Sequence, residues 1–295
     1  MENTRIKTCR NVEPYLLLLP SMSVLVIMSV IPLLYAIILS LRSVILTRPQ
    51  ADTFVGFSNY IKIFNDEKFW LALARTLYYV SVSVCTTFIL GMSVALLLNR
   101  DIRGKFVYRS FLIIPMILPP IVIGFTFRFM YNYDFGIINY FLKTVGIPKI
   151  PFLATSKTSL PSVILTDIWQ WTPFMILVLL SGLEVIPESL YEAGKIDGAS
   201  KTQLFFKITL PMIRPVIIIA ILIRTMDAFR EFDKIFIMTR GGPGESSETL
   251  SLYIWRKGLS FFEISDATAM AIVLLFIILS LSNLFVKVLQ KEEFT

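Results

Sequence analysis

The chain has 295 residues, of which 55% are hydrophobic and only 17% are charged, and its formal net charge is +7. Soluble domains carry about 25% charged residues, and one soluble core could not hide this much apolar side chain. An ordinary soluble protein is therefore excluded. The charged residues are clustered, and long uncharged segments lie between the clusters.

Six apolar segments predict transmembrane helices, because roughly 20 apolar residues cross a hydrocarbon core about 30 Å thick. They cover residues 15–41, 76–99, 110–130, 160–183, 215–238 and 266–287. The first is too long for the apolar part of a secretory signal, so we expect it to remain as a membrane anchor. The sequence predicts an all-α polytopic membrane protein in which residues 1–295 form a single transmembrane domain.

Histidine is absent, and the two cysteines, Cys9 and Cys85, lie in a terminal tail and in the middle of a span. A catalytic imidazole, a histidine-based metal site and a disulfide scaffold are therefore not expected. A membrane-embedded enzyme would need such a constellation. We expect no metal site and no catalytic residues in this chain.

The loop at residues 99–110 has the highest density of Lys and Arg among the short loops. Short basic loops stay on the cytoplasmic side of a membrane, according to the positive-inside rule. With six spans, this orientation predicts that both termini are cytoplasmic. Three prolines of the third span, Pro115, Pro119 and Pro120, predict kinks, since each removes a backbone donor.

The fifth span is unusual because its second half is charged. Arg224 and Asp227 would lie near the bilayer midplane, and Glu231 and Lys234 would follow in the outer half. Such charges are costly in lipid, so they must face protein or enclosed water. Residues three apart can meet on one helix face, which predicts the pairs Arg224–Asp227 and Glu231–Lys234.

Asp167 and Gln170 of the fourth span fall in the same outer half. Two interpretations of these polar groups stay open. They could form an internal ion-pair ladder that holds the helices together, or they could line a hydrated pathway. The candidate pathway lining consists of Asp167, Gln170, Arg224, Asp227 and Glu231.

The predicted inner loop at 184–214 has strong signals for local structure. Pro187 suits a first helical turn and Gly198 is placed to end that helix. Ser200 and Gln203 have the spacing of a capping box that starts a second helix. The loop is therefore predicted to be a helix, a tight turn and a second helix, projecting from the membrane.

The residues of this loop resemble a known motif. Glu192-Ala193-Gly194, then Asp197-Gly198-Ala199, then Ile208-Thr209-Leu210-Pro211 resemble the EAA loop of binding-protein-dependent ABC importer permeases. Further segments agree with the carbohydrate-uptake branch, namely Gly56-Phe57-Ser58-Asn59-Tyr60, Leu118-Pro119-Pro120, Asp227-Ala228-Phe229 and Gly241-Gly242-Pro243-Gly244. The chain is similar to the larger permease subunit of maltose systems and to the first permease of glycerol-phosphate systems.

The resemblance implies a type I importer permease in the cytoplasmic (inner) membrane of a bacterium or archaeon. It implies a second homologous permease, two P-loop ATPase subunits that bind ATP and Mg, and an extracytoplasmic solute-binding protein. This chain would bind no cofactor and no nucleic acid, and it lacks the G-x-x-x-x-G-K-[ST] motif of an ATPase. Sugars, polyols or glycerol phosphate would be carried by alternating access.

The resemblance also assigns residues to the coupling of transport with the ATPases. These residues are Glu192, Ala193, Gly194, Asp197, Gly198, Ala199, Ile208, Leu210 and Pro211. Gly194 stands where the family usually has alanine, and glycine costs about 1 kcal/mol in a helix. We expect a looser helix that still permits close approach.

A standalone ion-coupled carrier is the alternative function. Asp227 and Asp167 would then be proton or cation sites. This alternative explains the charged span, but it gives no reason for a helical inner loop.

Overall fold

A computed structural model describes residues 15–47, 52–100 and 104–293, so Arg5, Lys7, Arg10 and Cys9 lie outside the described residues. The chain divides into two compact units. The first comprises the described residues up to Asp66 together with Ile254–Leu274, and the second comprises Glu67–Tyr253 together with the described residues from Leu275 onward.

The first unit begins with helix α1 (Tyr15–Ser40), whose apolar side chains are largely exposed. A short antiparallel pair of strands, β1 (Arg42–Ser43) and β2 (Thr53–Phe54), follows and leads to helix α2 (Ser58–Phe64). The Asn59 side chain donates hydrogen bonds of 2.7 Å to the backbone oxygens of Ser40 and Arg42. Asn59 thus ties α2 to the end of α1.

The second unit contains nine helices among its described residues. These are α3 (Glu67–Leu98), α4 (Lys105–Ile117), α5 (Pro120–Met130), α6 (Ile137–Thr144), α7 (Ser159–Glu184), α8 (Glu188–Ile196), α9 (Lys201–Met212), α10 (Arg214–Phe229) and α11 (Asp233–Met238). Two further helices, α12 (Leu250–Trp255) and α13 (Ile264–Glu293), have residues in both units.

The long helices α3 and α7 pack closely in the core of the second unit. A Cβ atom at Gly91 would lie 2.6 Å from Cγ of Met175, so only glycine permits this approach of the two helices. Ala95, Leu179 and Ala220 are almost completely buried in the same apolar cluster, which adds α10 to the pair. The three helices therefore share one dry core.

The predicted third span is interrupted. Helices α4 and α5 meet at an angle of 92°, whereas the sequence predicted one kinked helix over 110–130. Leu118 and Pro119 are both extended, with ψ of 135° and 137°. A residue that precedes proline is driven out of the helical region, and two such residues in a row end the helix. Pro115 lies within α4 without breaking it.

The predicted fifth span, 215–238, also differs from one continuous helix. Helix α10 ends at Phe229 and α11 begins at Asp233, so the charged half lies on a break and a second short helix. Helix α9 joins α10 with a bend of 66° at Ile213.

Four helices of the described chain are long and apolar enough to cross a membrane, and the number becomes six if each bent pair is one span. The predicted spans at 15–41, 76–99, 160–183 and 266–287 correspond to α1, α3, α7 and α13, although α3 begins earlier, at Glu67. The count of six crossings and the single domain over 1–295 stay predictions.

Candidate functional site

A buried carboxylate, Asp167 in the middle of α7, is surrounded by donors from three other helices. One of its oxygens accepts hydrogen bonds from Ser83 of α3 and from the guanidinium of Arg224 in α10. Its other oxygen lies 2.7 Å from Nζ of Lys234 in α11. Asp167 therefore joins α3, α7, α10 and α11.

Further polar groups extend this cluster. The Lys234 ammonium also donates to Oε1 of Gln170 at 2.8 Å and pairs with Glu231 at 2.8 Å. The guanidinium of Arg224 lies 5.4 Å from the ring centroid of Trp171, a distance at which a cation is attracted to an indole face. Lys234 and Arg224 thus have several partners each.

The cluster is dry and electrically balanced. Asp167 and Lys234 are 0% exposed, and Arg224 and Gln170 are 1% exposed. Asp167 and Glu231 carry two negative charges, and Arg224 and Lys234 carry two positive charges. Because an unpaired buried charge is strongly unfavourable, this balance lets four ionised groups stay inside the protein. The geometry favours the ion-pair interpretation for these residues.

One predicted pair was wrong and the other is confirmed. Arg224 pairs with Asp167 rather than with Asp227, because its long side chain extends into the core where the Asp167 carboxylate lies. Glu231 does pair with Lys234, and one of its oxygens also accepts the Lys234 backbone N–H at 3.0 Å. That contact replaces a helix cap at the start of α11.

Asp227 differs from the other predicted lining residues. It is half-buried, and within the described part of the chain its carboxylate makes no hydrogen bond or ion pair. A role in a pathway stays a prediction for all five residues. Among the predicted lining residues with a carboxylate, Asp227 is the one that has no hydrogen-bond or ion-pair partner in the described part of the chain.

Sequence reasoning did not select Ser83 for the site, although a signal was present. Thr76, Ser83 and Thr87 are spaced seven and four residues apart within an apolar span, which places them on one helix face, and all three are buried. A polar stripe on a membrane helix indicates a buried partner. For Ser83 that partner is the Asp167–Arg224 pair.

The predicted coupling loop is a helix, a turn and a helix, as expected. The turn has the hydrogen bonds of a Schellman motif, from Gly198 N–H to Lys195 O at 3.1 Å and from Ala199 N–H to Gly194 O at 2.9 Å. Gly198 has φ of +76°, a conformation that glycine adopts without strain. The Ser200–Gln203 capping box is present in both directions, which confirms that prediction.

The two helices of the loop are packed against each other. Tyr191 Oη lies 3.0 Å from Oγ1 of Thr209, and a Cβ atom at Gly194 would lie 2.6 Å from Cδ2 of Leu204. Because glycine has no Cβ atom, the Leu204 side chain can pack directly against the backbone at Gly194. Gly194 permits this close approach of the two helices, and the looser helix expected from a glycine at this position stays a prediction.

The predicted coupling residues lie at the surface of this helix pair. Glu192, Ala193, Asp197, Gly198 and Pro211 are exposed, and Gly194, Ala199, Ile208 and Leu210 are half-buried. Ile196 is 86% exposed, and Phe206 is 59% exposed. An exposed apolar edge on a stiff element is typical of a protein interaction surface.

The helical fold and the broken helices match those of an ABC importer permease of type I. The chain belongs to the family of binding-protein-dependent transport system inner membrane components, which it matches over residues 87–292.

Relatives and solved structures agree with this membership. The trehalose/maltose transport system permease protein MalF of Thermococcus litoralis is 36% identical over 277 residues, which cover 93% of this chain and 92% of that protein. The sulfoquinovosyl glycerol transport system permease protein SmoG of Agrobacterium fabrum is 33% identical, with 94% and 90% covered. A chain in the crystal structure of a bacterial ABC transporter involved in the import of alginate has the same fold, with a TM-score of 0.84, 23% identity and 98% and 99% covered.

Neutralising Asp167 should destabilise the folded protein. Asp167→Asn leaves Arg224 and Lys234 with one carboxylate between them, and breaking a buried ion pair costs about 3–5 kcal/mol. We expect a large loss of monodisperse protein after detergent extraction and a lower melting temperature. Asp167→Asn with Arg224→Gln removes both partners of one ion pair, leaves Lys234 paired with Glu231, and should recover part of the loss.

Asp227→Asn is the matched control, because it changes a carboxylate that forms no hydrogen bond or ion pair with the described residues. Its yield and melting temperature should equal those of the unmodified protein. An Asp167→Asn protein as abundant and as stable as the control would contradict the role of Asp167 in holding these four helices together.

Proposed function

We propose that the chain is the permease subunit of an ATP-driven importer for sugars or for related polyol or glycerol-phosphate solutes. Relatives named for trehalose/maltose and for sulfoquinovosyl glycerol support the carbohydrate class, since both cover more than 90% of this chain. These two solutes differ in charge and size. The relatives therefore support a class of solute and not an individual one.

The coupling loop carries the proposal. It is a stiff, exposed pair of helices that continues directly from α7 and into α10. Such an element can transmit force from a partner only if it does not deform. The Schellman turn, the capping box and the Tyr191–Thr209 contact all oppose deformation.

The partners of this subunit would be a second homologous permease, two P-loop ATPases and a solute-binding protein on the outer side. A periplasmic protein is present in a crystal structure of the alginate transporter whose chain shares this fold. ATP and Mg would be bound by the ATPase subunits. In this arrangement the loop and both termini lie in the cytoplasm, and the chain hydrolyses no ATP itself.

Transport would proceed by alternating access. Closure of the ATPases would move the loop, and the helices that continue from it would reorient and open the central cavity outward. Glu192 would contribute charge at the docking surface, Gly198 the turn, and Leu210-Pro211 the link toward α10. Hydrolysis would return the cavity to the inner side.

Purification with partners tests the proposal as a whole. The tagged chain, extracted from its native membrane in mild detergent, should carry a P-loop ATPase and a second permease, identified by mass spectrometry. Reconstituted vesicles containing this complex and the binding protein should take up the solute only when ATP is enclosed. Recovery of the chain alone, with uptake driven by an ion gradient, would overturn the proposal in favour of a standalone carrier.

Distortion of the turn should uncouple ATP hydrolysis from uptake. Valine at Gly198 would force a β-branched residue to positive φ, at a cost of about 1–2 kcal/mol. Apart from the residue itself and its two chain neighbours, no described residue has an atom within 4 Å of the new Cβ, so the effect comes from the backbone and not from a clash. We expect Gly198→Val to lower uptake roughly tenfold while ATPase activity persists.

Gly198→Asn is the matched control, because asparagine tolerates positive φ. It should transport nearly as well as the unmodified protein. Equal uptake by Gly198→Val and Gly198→Asn would exclude the turn from coupling.

Asp227 is our candidate for contact with the solute. The Asp227 carboxylate on α10 has no hydrogen-bond partner among the described residues, and it can accept hydrogen bonds from sugar hydroxyl groups. Asp227→Asn should reduce uptake without changing protein abundance, and Asp227→Glu should retain more uptake than Asp227→Asn. Uptake that falls in proportion to abundance would assign Asp227 to the structure instead.

A further inference from the structure

A cavity of about 490 Å³ lies in the second unit beside the coupling loop, and the functional assignments above do not use it. The ends of α3 and α7 and the first turns of α9 form its walls. Its apolar floor includes Leu96, Leu183 and Phe205, and its polar rim includes Asn99, Arg100 and Lys201.

The rim of this cavity is positively charged. Arg100 and Lys201 are both exposed, and neither side chain forms a hydrogen bond or an ion pair with the described residues. None of the described lining residues is an aspartate or a glutamate. Two cations beside an amide, with no carboxylate among the described lining residues, suit a phosphate group.

The position of the cavity relates it to the membrane surface. Helix α3 ends at Leu98 and α7 ends at Glu184, and both are long and apolar enough to cross a bilayer. Residues at the ends of such helices lie where hydrocarbon gives way to water. Basic pockets between membrane helices at this depth are typical sites for anionic lipid headgroups.

We propose that this cavity binds the headgroup of an anionic phospholipid. Arg100, Lys201 and Asn99 would bind the phosphate oxygens, and the glycerol and first acyl carbons would rest on Leu96, Leu183 and Phe205. A soluble phosphate compound would use the same rim but would leave the apolar floor wet. The apolar floor therefore favours a lipid over a soluble phosphate. The bound lipid would connect the end of α3 to the coupling loop.

The test uses the complex purified with its partners and stripped of native lipid by detergent exchange. Phosphatidylglycerol and phosphatidylcholine with identical acyl chains are titrated, and bound lipid is counted by native mass spectrometry. The unmodified complex should retain phosphatidylglycerol preferentially. Arg100→Gln with Lys201→Gln should reduce that retention about tenfold, since each cation near the headgroup strengthens binding several-fold.

Lys207→Gln is the matched control for Lys201→Gln, because it removes an exposed charge from the same loop but outside the cavity. It should keep the preference for phosphatidylglycerol. Elution volume and partner recovery report on assembly, and if the double variant does not assemble, each single variant should still lower retention several-fold.

Three results would overturn the assignment. The first is that the double variant, or each single variant, keeps the preference for phosphatidylglycerol in an intact complex. The second is that free glycerol 3-phosphate displaces the lipid fully, which would mean that the cavity binds soluble phosphates. The third is that the unmodified complex binds the two lipids equally well, which would mean that the cavity has another occupant, such as an ATPase subunit.

Discussion

The second unit depends on one buried carboxylate. Asp167 accepts hydrogen bonds from Ser83, Arg224 and Lys234, so a single side chain on α7 fixes α3, α10 and α11. Its position explains why Arg224 and Lys234 can be ionised where no water reaches them. Lys234, which donates to Asp167, lies in the first turn of α11, just after the break that follows Phe229.

An apolar layer separates this cluster from the coupling loop. Helix α7 continues from Asp167 to Glu184 for 17 residues, or about 25 Å at 1.5 Å per residue. Along that length its core side chains, among them Met175 and Leu179, pack on α3 and α10. Close-packed side chains transmit displacement because they cannot be compressed. The loop and the charge cluster are therefore two ends of one rigid helix bundle.

Composition and local signals predicted much of the fold. Long uncharged segments predicted the apolar helices, and the Ser200–Gln203 spacing predicted the capping box. Both features depend on residues that are close in the chain. The 92° angle at Leu118-Pro119 and the partner of Arg224 depend on what lies across the bundle. The spacing of three residues predicted Asp227 as the partner of Arg224. Contacts between residues three apart on one helix can be read from a sequence, whereas contacts between helices cannot. For the same reason Ser83 was missed, although its polar stripe was detectable.

The charge cluster and the coupling loop have opposite physical requirements. The cluster is stable because each of its charges is paired and almost completely buried, so moving α7 relative to α10 would separate Asp167 from Arg224 at a high cost. The loop, by contrast, keeps an exposed apolar edge that only a partner can cover. Motion driven from the loop should therefore move α3, α7, α10 and α11 together as one body. A hinge would then lie outside this group, and the non-helical break at Leu118-Pro119 is a position where the backbone already departs from a straight helix.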